Sequence, residues 1–214
     1  MAKDNEGRHH QLRQLVAQQA ARMMAEEGIS DYAFAKKKAG RQLGVVDLNC
    51  LPTNGEIADE IRIFHEIYHA DEQPETLKQL RIDALTIMQM LERFSPHLTG
   101  TVLDGTAGLH AETHIHLFAD SLKDVEMFLL NSQIPYETTE KSFRVSHDKR
   151  GTKKGTDRKK VPVFTLDGPN GVIKLSVFEI DGMRLPTKSS AGDGNAGRAN
   201  TAAVKALIQS AAVK

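Results

Sequence analysis

The sequence predicts an α+β protein in which a helical N-terminal region precedes a mixed or antiparallel sheet. Three patterns point there. Apolar residues recur at helical spacing through the first 95 positions, they fall into short strand-like runs after Pro96, and those runs are separated by one helical stretch and by glycine-rich turns.

Each element has its own signal. From His9 to Glu27, Leu12, Leu15, Val16, Ala20, Met23 and Met24 mark an amphipathic helix that Gly28 can stop. Ser30 is the expected cap of a second helix carrying Tyr32, Phe34, Ala35, Ala39 and Leu43 and ending at Gly44. After the break Leu51-Pro52-Thr53-Asn54-Gly55, a third helix follows from Ile57, Ile61, Phe64 and Ile67-Tyr68. Pro74 suits the start of a fourth, whose series Leu77, Leu80, Leu85, Met88, Leu91 and Phe94 runs to Ser95-Pro96. Met88, Met90 and Leu91 are assigned to the core. Strands are expected near residues 99–104 and 114–119, then a helix near 121–132 with Val125, Phe128 and Leu129 inward. Further strands are expected near 136–145, 161–167 and 171–180, the last two joined by the turn Asp167-Gly168-Pro169-Asn170-Gly171. Residues 185–201, rich in Gly, Ser, Asn and Ala, predict a mobile linker before a short helix through Val204, Leu207 and Ile208. The division is therefore a helical region at 1–95, an α+β core at 96–185, and a linker with a terminal helix at 186–214.

Composition excludes several classes. The chain of 214 residues is 40% hydrophobic and 26% charged, as globular proteins are, and no apolar stretch reaches the length of a membrane span. The polar start lacks the apolar core of a secretory signal, and the single cysteine, Cys50, cannot form an internal disulfide; the expectation is a cytoplasmic protein with no membrane partner. Net charge is zero, but residues 47–140 hold 17 Asp/Glu against five Lys/Arg, while residues 141–160 hold nine Lys/Arg against two Asp.

The most chemical stretch is residues 102–119, read as a strand, a glycine turn and a second strand. Alternation along a strand puts His114 and His116 on one face and Ile115 and Leu117 on the other. Gly105-Thr106 and Gly108 allow close backbone approach to a ligand, and the turn's amides and Thr106 suit phosphate oxygens.

The Gly105-Thr106 turn, the strand with two polar residues two apart and the following Leu117-Phe118-Ala119 resemble the DNA polymerase beta-like nucleotidyltransferase superfamily, over residues 98 to about 180. The resemblance is divergent, because the family's Asp-x-Asp pair falls here on His114 and His116, while Lys174 or Ser176 stands where the third carboxylate is expected. It implies a nucleotidyltransferase-like sheet, a nucleotide held by Gly105, Thr106, Gly108, Lys174 and Ser176, and transfer chemistry on two magnesium ions. In that reading Asp104, Glu112, His114 and His116 are the candidate catalytic residues, with Glu112, His114 and His116 as metal contacts. Zinc on His110, His114 and His116 is the alternative for imidazole ligands and would make a metal-dependent hydrolase. The third course is a polar groove that holds no metal.

The basic run at 149–160 holds seven Lys/Arg: Lys149, Arg150, Lys153, Lys154, Arg158, Lys159 and Lys160. On a hairpin arm it suits a polyanion, so nucleic acid or an acidic protein is the alternative partner, bound by a noncatalytic module. Lys36, Lys37, Lys38 and Arg41 are read as a solvated helix face, and His65 and His69 as surface histidines.

Overall fold

A computed structural model describes residues 2–29, 31–45, 50–146, 156–184 and 197–211. Seven α-helices and an open six-stranded mixed sheet are found among them.

The first three helices are α1 (Ala2–Glu26), α2 (Tyr32–Gln42) and α3 (Asn54–Tyr68). Asp31, rather than Ser30, which lies outside the described residues, caps α2 by accepting from the amides of Ala33 and Phe34. Thr53 and Glu56 form a capping box that starts α3. The three helices share a core built from Val16, Ala20, Met23, Tyr32, Ala35, Ala39, Ile57 and Ile61. Small residues at the contacts let the backbones approach closely, while Phe34 and Leu43, expected in the apolar series of α2, stay exposed.

Helix α4 (Glu72–Met90) begins two residues before Pro74 and continues as a 3-10 turn over Glu92–Phe94. Its buried face, Leu80, Ala84 and Met88, packs not with the first three helices but with the sheet. Met88 and Leu91 are in that core as expected, whereas Met90 is 41% exposed.

Strand β1 (His97–Thr99) is shorter than predicted, because the expected strand near 99–104 turns at Gly100 into the one-turn helix α5 (Thr101–Asp104). Then come β2 (Thr113–Phe118), α6 (Leu122–Asn131), β3 (Glu137–Ser146), β4 (Thr156–Gly168) and β5 (Gly171–Phe178). The predicted Pro-Asn turn joins β4 to β5, and Asn170 is tied to Asp83 of α4 through its backbone amide (3.1 Å) and side chain (2.9 Å). A short β6 (Ala199–Asn200) leads into α7 (Thr201–Ala211). Most of the expected linker, 185–196, lies outside the described residues, but its last stretch pairs with β1.

The strand order is β3-β4-β5-β2-β1-β6, with β2 and β5 parallel and every other neighbouring pair antiparallel. One face carries Leu98, Ile115, Leu117, Phe164, Ile173 and Leu175 and is covered by α4, α6 and α7 through Leu80, Met88, Val125, Leu129 and Val204. No helix of the described residues is long and apolar enough to cross a membrane.

Leu117 is fully buried at the centre of this core. Leu117→Ala is expected to lower unfolding free energy by about 2–5 kcal/mol. Met90→Ala, on the exposed side of α4, should stay within about 0.5 kcal/mol. Urea denaturation of both variants checks the assignment of the core face.

Candidate functional site

The second face of the sheet is polar at its middle. Register sets Thr99 opposite His114 and His97 opposite His116 on one side of β2, and Lys174 opposite His114 and Ser176 opposite His116 on the other. Paired residues share a face, so His114, His116, Lys174 and Ser176 form one patch, while Ile115 and Leu117 face the core. The alternation expected of this strand is therefore present. At the far end of the patch, Phe118 and Phe178 stack, the His116 ring lies 4.7 Å from Phe178, and the Arg198 guanidinium stands 4.9 Å over Phe118.

Above the patch, a cavity of about 490 Å³ opens between the sheet and the first three helices. Met24, Ile29, Tyr32 and Ile61 line it from the helical region, Thr99, Glu112, His114, His116, Lys141 and Ser176 line it from the sheet side, and Asp104, Thr106 and Gly108 line it as well. Of the residues singled out from sequence, Asp104, Thr106, Gly108, His110, Glu112, His114, His116 and Ser176 line this one space. Lys174 reaches it indirectly, its Nζ held 2.6 Å from Glu112. Gly105 does not line it.

Both central histidines are neutral. Burial, with Lys141 and Lys174 nearby and only Glu112 opposing, holds His114 down at about 4. Burial, with Arg198 and the other groups His114, His97 and Lys141 nearby, holds His116 at about 3. Glu112 lies 3.7 Å from His114 but is engaged by Lys174. Asp104 shows the opposite case: burial pushes its carboxyl upward, and Arg62 only partly offsets that.

The glycine turn is built differently from the expected phosphate cradle. The amides of Gly105, Thr106 and Ala107 all point to the Thr101 carbonyl, closing the end of α5. Gly105 adopts the left-handed conformation (φ 80°) that this ending requires, which is why glycine stands there. The loop's carbonyls are taken too: Gln73 donates to Gly105 and Ala107, and the buried Arg81 donates to Val102 and Leu103. At Gly108 the close approach is by the His65 ring, which a Cβ would meet at 3.3 Å. These backbone groups are committed to the fold, while Asp104 and Thr106 are among the residues that line the cavity.

His65 is a correction as well, since it is buried; burial lowers its pKa, and the Thr106 backbone beside it partly offsets that. His69 lies beside it, with ring centroids 5.7 Å apart. Of the helix cations, Lys36 donates to the Pro52 carbonyl and Lys38 pairs with Glu27. Among the described residues no group of three or more His, Cys, Asp or Glu side chains is placed to hold a metal ion, so Asp104, Glu112 and the histidines share the cavity without converging as ligands. Of the basic run, Lys149, Arg150, Lys153 and Lys154 lie outside the described residues; Arg158 and Lys159 are on β4, and Lys160 pairs with Glu140 at 3.1 Å. Tyr32, Asn54 and Lys141, which also line the cavity, carry no local sequence signal of doing so. No protein-family model, curated protein or solved structure matches the chain.

The depressed histidines set a pH dependence. In the unfolded chain each protonates near 6.5, while in the fold each stays neutral to about 4 or about 3. The unfolded state thus binds more protons, and stability falls as pH drops below 6.5. At pH 5 the expected loss is about 2 kcal/mol for each histidine. Denaturant titrations at pH 7 and 5 should show it, and His116→Asn should reduce the difference.

Proposed function

We propose that the chain is a divergent nucleotidyltransferase-like protein whose cavity binds a nucleotide, with the phosphates toward the histidines of β2. The observation that carries this reading is the patch of His114, His116 and Ser176 with Lys141, Lys174 and Arg198 acting around it. A phosphate only accepts hydrogen bonds, and this patch offers imidazole N–H groups, a hydroxyl and ammonium groups, with a single carboxylate, Glu112, among them. Burial is the main reason the imidazoles stay neutral, and Lys141, Lys174 and Arg198 add a positive field that attracts an anion. The cavity's size lies in the range of small-ligand sites, and Met24, Ile29 and Ile61 supply an apolar wall suited to a base.

The layout of the sheet supports the family reading. A helix follows β2, and β5 lies beside it with Lys174 and Ser176 level with the histidine pair, at the positions where the resemblance seeks a further carboxylate. Binding without two-metal transfer is the activity this residue set favours, since a transferase would need carboxylates gathered around the metals.

Calorimetry with ATP, GTP, CTP and UTP should give saturable binding of at least one. Lys141→Met should weaken it by roughly tenfold, about 1.4 kcal/mol. No saturable binding of any of the four rules the reading out, and label transfer from an α-labelled triphosphate, lost in Asp104→Ala, would restore a catalytic role.

A further inference from the structure

We propose that the distal part of the β3–β4 hairpin is a ribbon that enters the major groove of duplex DNA, presenting the face that carries Arg144, Arg158 and Lys160. The cavity lies on the opposite face of the sheet, so this inference is independent of the nucleotide reading.

Strand register builds the ribbon. β4 pairs with β3 from Glu137↔Thr165 to Ser146↔Thr156, but with β5 only from Val163 to Gly168. The five pairs from Ser142↔Lys160 to Ser146↔Thr156 therefore run past the sheet as two strands alone. At about 3.4 Å per residue they reach roughly 17 Å, about twice the ~8.5 Å depth of a major groove, which admits a two-stranded ribbon. The residues that join the two strands, 147–155, lie outside the described residues.

The two faces of the ribbon differ in kind. Opposed residues share a face, so Ser142, Arg144, Ser146, Thr156, Arg158 and Lys160 fall on one, and Phe143, Val145, Asp157 and Lys159 on the other. The first face holds three basic and three hydroxyl residues, with neither an acid nor an apolar residue among them. At its base Lys160 lies 3.1 Å from Glu140, and both side chains are largely exposed, so no described element covers this face there. Further out, Arg144 stands directly opposite Arg158. Like charges at opposed positions weaken a strand pair, and a ribbon of two strands alone is marginal in water. An anion laid across this face removes that repulsion.

The arrangement selects the partner. Basic residues occur on both strands, Arg144 on β3 and Arg158 and Lys160 on β4, which suits a groove with phosphates along both walls. Arginine, lysine and hydroxyl residues are the common donors to phosphates and base edges. Duplex RNA has a deep, narrow major groove that side chains do not read. A single strand calls for aromatic residues on which bases stack, and this face has none.

The full chain is titrated into a fluorescent DNA duplex of about 20 base pairs, with anisotropy read at salt concentrations from about 50 to 200 mM. Binding should be saturable, with log affinity falling linearly as log salt rises. The double variant Arg144→Ser, Arg158→Ser should bind about tenfold more weakly, with a salt slope smaller by about 2. It removes a like-charged pair, so it should melt no lower than the wild type. Lys159→Ser, on the other face, should change the slope by less than about half a unit. Thr156→Glu adds a carboxylate to the proposed face without removing a cation; it should also weaken binding and decides the matter should the double variant fail to fold. Absence of saturable DNA binding, an unchanged slope in the double variant, or an equal loss in Lys159→Ser overturns the proposal. So does equal affinity for an RNA duplex of the same length, or displacement of the DNA by polyglutamate at equal charge. None of these outcomes bears on nucleotide binding in the cavity, which calorimetry reads separately.

Discussion

Strand β2 has to satisfy two unlike environments with alternate residues, and the site exists because it does. It runs parallel to β5 and antiparallel to β1 in the middle of the sheet, so neither edge is open. Ile115 and Leu117 are fully buried against the helices, while His114 and His116 face the cavity. A slip of one residue would drive two imidazoles into the apolar core, which strongly fixes the register. That same register sets Lys174 and Ser176 beside the histidines. Packing on one face thus determines chemistry on the other.

Helix α4 transmits this order to the loop after α5. Its Leu80 and Met88 pack under the sheet, while from the same helix Arg81 and Gln73 bind the carbonyls of residues 102, 103, 105 and 107. Burial disfavours the Arg81 charge, and carbonyl oxygens are its hydrogen-bond partners there. The arrangement consumes the backbone groups of the turn. What remains toward the cavity at that point is the Asp104 side chain, next to a loop held by the main core.

Much of this was legible in the sequence, and the failures have physical causes. The helix periodicities of residues 9–27 and 57–68 and the alternation at 113–118 survive because each reports a single dominant burial face. Residues 102–104 misled because Val-Leu-Asp is too short for periodicity to separate one helical turn from a strand, and Gly100 with its positive φ redirects the chain just before it. Gly105 and Gly108 were read as allowing a ligand close to the backbone; in the fold the Gly105 amide closes on the Thr101 carbonyl, and a Cβ at Gly108 would meet the His65 ring. His65 looked like a surface residue since its burial depends on a loop some 40 residues later. Tyr32, Asn54 and Lys141 reach the cavity only through long-range packing, for which no local pattern exists.

The cavity has an electrical direction that the separate findings imply together. Lys141, Lys174 and Arg198 lie toward β2, where they add to the burial that keeps the histidines neutral; Asp104 lines the same cavity, where burial disfavours its charge. The cations and the carboxylate thus give the cavity opposite charge at different places on its wall. A phosphate is attracted by the cations near β2, whereas beside Asp104 it would set anion against carboxylate. For the proposed nucleotide, the charges lining the cavity favour one of the two orientations.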